Sequence, residues 1–174
     1  MKLSVFPVLL VALVVVHSFS FAEDHKQHPA TDDASFTSIF NGKDLSKIET
    51  KGNWQIQKDG SLHLKPRKGE RGWTRYASYI WLKENYANFT FDFEYRHEKG
   101  GNSGLYFRCA DTVDPTLSGF EVQILDCYGK DKLGQHDLGG IIKTAGPTKN
   151  MSKPAGEWNR MTVTMIGDQL TVVL

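Results

Sequence analysis

The chain has 174 residues, 24% of them charged and 40% hydrophobic, with 21 basic against 20 acidic side chains and a formal net charge of +1. That balance removes the electrostatic basis for nucleic-acid binding. No apolar run reaches the roughly 20 residues that span a bilayer as a helix, which argues against an integral membrane helix.

Lys2 precedes an apolar run from Val5 to Val16, and Ser20-Phe21-Ala22 supplies a small-x-small cleavage site. Residues 1–22 therefore read as a signal peptide, and the expected location is secreted or periplasmic, with no membrane attachment after cleavage. The remaining 152 residues suit one domain able to bury its own core. Residues 23–34 are polar without period and read as a disordered linker, with His25 and His28 solvated in it.

From Phe36 onward the pattern is one of short alternating runs separated by turns, and no segment sustains a helical period. Trp54-Gln55-Ile56-Gln57 alternates, Lys58-Asp59-Gly60 turns, and Leu62-His63-Leu64 alternates back, which predicts a hairpin. Further strands are expected at 78–82, 89–97, 104–109, 120–127, 160–166 and 170–174. This spacing predicts an all-β, antiparallel two-sheet sandwich of jelly-roll type over residues 36–174. Leu170 to Leu174 stop while still reading as a strand, so the domain is expected to continue beyond them.

A hairpin centred on Asp114-Pro115 would set Cys109 opposite position 120 and Cys127 opposite position 102, about 20 Å apart along the strands. Bridged cysteines lie within about 7 Å, so two free thiols are expected in spite of the exported setting.

The segment from Gly100 to Asp126 carries the candidate chemistry. Gly100-Gly101-Asn102-Ser103-Gly104 permits a tight turn or close approach of a ligand, without the spacing of a phosphate-binding loop. The two-residue period then sets Asn102, Gly104, Tyr106 and Arg108 on one face, with Leu105, Phe107 and Cys109 toward the core. In the same register Arg108 lies opposite Glu121. In Glu121-Val122-Gln123-Ile124-Leu125-Asp126, a bulge at Ile124-Leu125 would bring Asp126 onto the face of Glu121 and Gln123. Without the bulge, Asp126 caps the following loop.

Two carboxylates about 5 to 10 Å apart are the minimum for glycoside cleavage, and an Arg–Glu pair beside Gln123 is equally what a non-catalytic sugar-binding wall uses. Trp73, in a glycine-rich stretch, is the tryptophan expected to stack on sugar. His136, in the loop that follows the wall, is a candidate for proton transfer. No spacing of His, Cys or acidic residues suggests a metal ion, and no cofactor is expected.

Phe40-Asn41-Gly42-Lys43-Asp44-Leu45, Gly101-Asn102-Ser103-Gly104 through Phe107-Arg108, Gly119-Phe120-Glu121-Val122-Gln123-Ile124-Leu125-Asp126 and Pro154-Ala155-Gly156-Glu157-Trp158-Asn159 together resemble the 3-keto-disaccharide hydrolase family. The resemblance implies a concanavalin A-like sandwich acting on disaccharides oxidised at carbon 3, with Asn102, Arg108, Glu121, Gln123 and Asp126 at the matching positions. It departs from the family at Ile48, where a tryptophan is common, and at Gly140-Ile141-Ile142, where an aromatic is common. The Glu-x-Gln-x-x-Asp run is also similar to the bulged catalytic strand of family-16 glycoside hydrolases, with Gln123 replacing the middle carboxylate.

The reading that follows is a secreted hydrolase of keto-glycosides. Glu121 or His136 removes the proton next to the ketone, Arg108 stabilises the enolate and Asp126 assists the leaving group. Asn102, Ser103, Tyr106, Gln123 and Trp73 contact the carbohydrate. A lectin-like binding module and a conventional retaining glycosidase are the alternatives.

Overall fold

A computed structural model describes residues 13–14, 27–70 and 78–174. Its strands are β1 (Leu13–Val14), β2 (Thr37–Ser38), β3 (Ile48–Glu49), β4 (Trp54–Ile56), β5 (Leu62–Leu64), β6 (Trp81–Leu82), β7 (Phe89–Tyr95), β8 (Asn102–Phe107), β9 (Phe120–Leu125), β10 (Asn159–Ile166) and β11 (Gln169–Val173). A single helical turn, α1 (Pro115–Ser118), lies between β8 and β9. All the strand pairings are antiparallel. β1, inside the segment read as a signal peptide, pairs with β2. Among the described residues no helix is long and apolar enough to cross a membrane.

Two sheets face each other across the core. One has the order β11-β10-β7, the other pairs β8 with β9. The alternation of β7 turns Phe91, Phe93 and Tyr95 inward, where they are buried with Met161, Val163 and Met165 of β10. Phe107, Val122 and Ile124 close the core from the facing sheet, and the rings of Phe89 and Phe107 meet edge to face at 6.2 Å between centroids. Each such buried side chain contributes about 1.5–3 kcal/mol relative to leaving it in water. The architecture is the all-β sandwich that alternation predicts. The hairpin of β4 and β5 also forms as expected, with Gly60 at φ 80° in its turn.

The outer face of β7 and β10 holds a buried ion pair. The Arg160 guanidinium donates to both carboxylate oxygens of Asp92, Nε at 3.0 and 3.1 Å and Nη2 to Oδ2 at 2.9 Å. Thr162 donates to Asp92 at 2.5 Å. The chain at 28–29 covers this pair. His28 Nδ1 lies 2.7 Å from Thr162 Oγ1, and Arg160 Nη2 donates to the Pro29 carbonyl at 2.8 Å. The expectation of a solvated linker is thus corrected for this part of 23–34. The desolvated charges of Asp92 and Arg160 require additional partners, and the segment supplies them.

Cys109 and Cys127 are both free thiols, Cys127 buried and Cys109 partly so.

Candidate functional site

β9 is the best-anchored strand near the site because both of its edges are paired. β8 lies on one side, and on the other the segment at 139–142 is hydrogen-bonded to it: Gln123 N–H donates to Gly140 O at 2.8 Å, and Ile142 N–H to Glu121 O at 3.0 Å. On the face of this sheet turned away from the core stand Tyr106 and Glu121, directly opposite each other in the ladder. The Tyr106 hydroxyl donates to Glu121 Oε2 at 2.5 Å.

Gly104 makes this arrangement possible. A Cβ at Gly104 would lie 2.2 Å from Glu121 Oε1, 2.7 Å from its Cγ and 2.9 Å from its Cδ. The carboxylate therefore lies across a backbone that has no side chain, held flat against the sheet and half withdrawn from water. Burial pushes the Glu121 carboxyl above its ordinary value, against opposing contributions from the Tyr106 hydroxyl and from His136. The Tyr106 phenol is likewise pushed far up, first by burial and then by its hydrogen bond to Glu121. Tyr79 adjoins the pair. Its ring centroid is 5.5 Å from that of Tyr106, and it adds to the upward push on the Tyr106 phenol.

These groups open onto a cleft of about 740 Å³, within the range of small-ligand sites, roughly 300–1,000 Å³. Asn102, Ser103, Gly104, Tyr106, Arg108 and Glu121 all line it. Trp54, Tyr79 and Trp81 line the same cleft, with the Tyr79 ring beside that of Tyr106.

Three expectations are corrected. Arg108 does not face Glu121. The register pairs Tyr106 with Glu121 and Phe107 with Phe120, two residues away from the expected alignment. The cause is local: Arg108 adopts φ 51° and ends β8, and α1 takes up residues of the connection, so the ladder closes earlier. The Arg108 side chain is exposed and donates to the Gly167 carbonyl. The bulge at Ile124-Leu125 is absent, since pairing is continuous from Asn102↔Leu125 to Phe107↔Phe120 and Asp126 N–H then donates to Gly101 O at 3.0 Å. Asp126 accordingly alternates to the face opposite Glu121. Its Oδ2 accepts the Gly100 N–H at 2.8 Å, capping the glycine turn. Gln123 shares the face of Glu121 but is buried, 5% exposed, and its Oε1 accepts the N–H of Ile124. Trp73 lies outside the described residues.

His136 is exposed and close enough to Glu121 to act on its charge. Its loop is pinned by the next residue. Asp137, 5% exposed, accepts from Lys130 Nζ at 2.7 and 2.8 Å, from Gly134 N–H at 2.6 Å and from the Cys127 thiol at 3.3 Å. Burial opposes the Asp137 charge, but these donors outweigh it and hold the carboxyl below its usual range. Among the described residues no group of three or more His, Cys, Asp or Glu is arranged to hold a metal ion.

The family model of the 3-keto-alpha-glucoside-1,2-lyase-like domain matches residues 35–174. The chain belongs to this family. A protein of Bacteroides thetaiotaomicron named 3-keto-disaccharide hydrolase is 24% identical over 175 residues, an alignment covering 88% of this chain and 60% of that protein. Two crystal structures from Parabacteroides distasonis, both designated candidate glycosyl hydrolases, share the fold. One has a TM-score of 0.61 at 27% identity over 75% of this chain and 63% of its own. The other has 0.60 at 22% identity over 77% and 66%. The chain thus spans about three fifths of the length of the curated relative.

Within this 3-keto-alpha-glucoside-1,2-lyase-like domain, sequence reasoning missed Tyr79, Trp81 and the role of Gly104. A signal for the first two exists in Tyr79-Ile80-Trp81-Leu82. Ile80 and Leu82 pack on the core, so alternation sends Tyr79 and Trp81 the other way. No local signal marks Gly104, because the carboxylate that occupies its missing Cβ comes from the neighbouring strand.

Proposed function

We propose that this protein cleaves the glycosidic bond of 3-keto-disaccharides or related keto-glycosides, with Glu121 as the base. The observation that carries the reading is a carboxyl raised by burial, hydrogen-bonded to Tyr106 and open to a cleft of disaccharide scale. A base with a raised pKa is matched to removing a carbon-bound proton near neutral pH. The family description, a 1,2-lyase acting on a 3-keto-α-glucoside, supports elimination across carbons 1 and 2.

In this scheme Glu121 takes the proton from carbon 2, which the adjacent ketone acidifies, and the electron pair moves onto the carbon 3 oxygen. The Tyr106 hydroxyl, within hydrogen-bond reach of Glu121, is the donor that can stabilise that oxygen, in place of Arg108. The enolate then re-forms the ketone, carbon 1 becomes double-bonded to carbon 2, and the carbon 1–oxygen bond breaks. The departing oxygen recovers a proton from Glu121 or through His136. Addition of water across the new double bond returns the free 3-keto sugar, so the net change is hydrolysis. The retaining-glycosidase alternative needs a second carboxylate beside Glu121, and Asp126 lies on the opposite face of the strand.

The test is incubation with matched native and 3-keto disaccharides, following monosaccharide by chromatography. Release from the keto member alone, abolished in Glu121→Gln, is the expected result. Binding without release would assign the protein to the lectin-like class. Undiminished turnover in Glu121→Gln would exclude Glu121 as base. Export to the periplasm or the medium is part of the same proposal and rests on residues 1–22. N-terminal sequencing of the exported chain should find a start after Ala22.

A further inference from the structure

We infer that Tyr106, Tyr79 and Trp81 form a three-ring platform that seats the second sugar, the leaving unit, and makes the cleft selective for disaccharides over simple keto-glycosides. The inference rests on the reading of Glu121 as the reacting carboxylate. Consecutive ring centroids are 5.5 Å apart from Tyr106 to Tyr79 and 6.1 Å from Tyr79 to Trp81, steps comparable to the length of one pyranose unit. Successive planes tilt by 31° and 43°, so the rings follow a curved wall rather than stacking on each other.

All three rings are partly exposed and line the cleft. Their sequence neighbours Ile80, Leu82, Leu105 and Phe107 are the residues that pack into the core, so the platform is not needed to fill it. Apolar ring surface kept at a cleft wall is available to the apolar faces of sugar rings. The platform also has direction. Tyr106 is bonded to Glu121, whereas Trp81 is the ring furthest along and has Glu49 as its cross-strand partner. Glu49 is exposed and lines the same cleft. A directly opposed pair presents both side chains on one face about 5 Å apart. An aromatic face and a planar carboxylate side by side suit the face and the hydroxyls of one sugar. The ring undergoing proton loss would sit at Tyr106 and Glu121, and its leaving partner at Tyr79 and Trp81.

The experiment compares the purified full chain with its Trp81→Ala variant on a 3-keto disaccharide and on methyl 3-keto-glucoside. The disaccharide/methyl ratio of kcat/KM should fall about tenfold, carried by KM. Native cellobiose or maltose should bind the parent protein in calorimetry, with affinity reduced about tenfold in Trp81→Ala and by less in Trp81→Phe, which keeps a ring at the position. An unchanged ratio, with native disaccharide bound equally by parent and variants, would overturn the platform. If no keto substrate is cleaved but native disaccharide binds through Trp81, the platform stands and the assignment of the reaction falls.

Discussion

Replacing Gly104 with alanine separates the placement of the Glu121 carboxylate from the stability of the fold. The added Cβ would lie 2.2 Å from Oε1, whereas ordinary van der Waals contact begins near 3.4 Å. The carboxylate must therefore retreat by more than 1 Å. The three atoms nearest to the added Cβ all belong to the Glu121 side chain, so that side chain is the first group to give way. Gly104 needs no left-handed backbone that alanine would resist. A displacement of about 1 Å at a reacting group costs on the order of 100-fold in rate, and the 2.5 Å bond from Tyr106 would lengthen or break. We expect kcat/KM on 3-keto disaccharide to fall about 100-fold while the unfolding free energy shifts by no more than about 1.5–3 kcal/mol, the range of one hydrogen bond to a charged group. Activity within a few-fold of the parent would refute the argument that Gly104 places the base. Loss of activity together with loss of cooperative unfolding would refute the argument that only the carboxylate moves.

Because burial raises the folded-state pKa of Glu121 above 4.5, its ionisation opposes folding as pH rises through that raised value. Glu121→Gln is accordingly expected to be more stable than the parent at neutral pH, with the difference vanishing well below pH 4.5 in thermal scans. Asp137 has the opposite sign. Its carboxyl is held below 3.8, so its ionised form contributes stability above that value that is lost as pH falls toward the folded pKa. Asp137→Asn should lose about 2 kcal/mol at neutral pH, through the hydrogen bonds it leaves unmade, and converge on the parent in acid. Arg108→Ala should change kcat/KM less than about threefold and stability by about 0.5 kcal/mol, since the guanidinium reaches the Gly167 carbonyl rather than Glu121. A loss as large as that of Glu121→Gln would restore Arg108 to the reaction.

Two of the ion pairs away from the cleft have different structural consequences. Asp92 with Arg160 fastens the chain at 28–29 to the outer face of the β7/β10 sheet. Asp137 with Lys130 fixes the loop that brings His136 near Glu121. Only the second bears on the site, and it does so by removing freedom from a loop whose catalytic candidate is otherwise exposed.

Alternation along the chain was enough to assign the sandwich and the shared face of Tyr106, Glu121 and Gln123. The two-residue period depends on backbone geometry that each strand carries locally. Glu121, Tyr106 and Asn102 were therefore legible as candidates before any pairing was known, whereas Ser103 was a candidate only through its place in the glycine turn. The pairing itself was not legible. The partner of Glu121 depends on where β8 ends, and that is decided by the left-handed Arg108 and the helical turn at Pro115–Ser118. A two-residue shift preserves the face of every side chain while exchanging its neighbour, so it leaves no trace in the hydrophobic pattern. Asp126 required the opposite judgement, because an absent bulge changes the face and turns a supposed second carboxylate into a cap for Gly100. The approach of Tyr79 and Trp81 to the β8/β9 sheet depends on contacts between segments distant in sequence, which only the packed tertiary structure brings together.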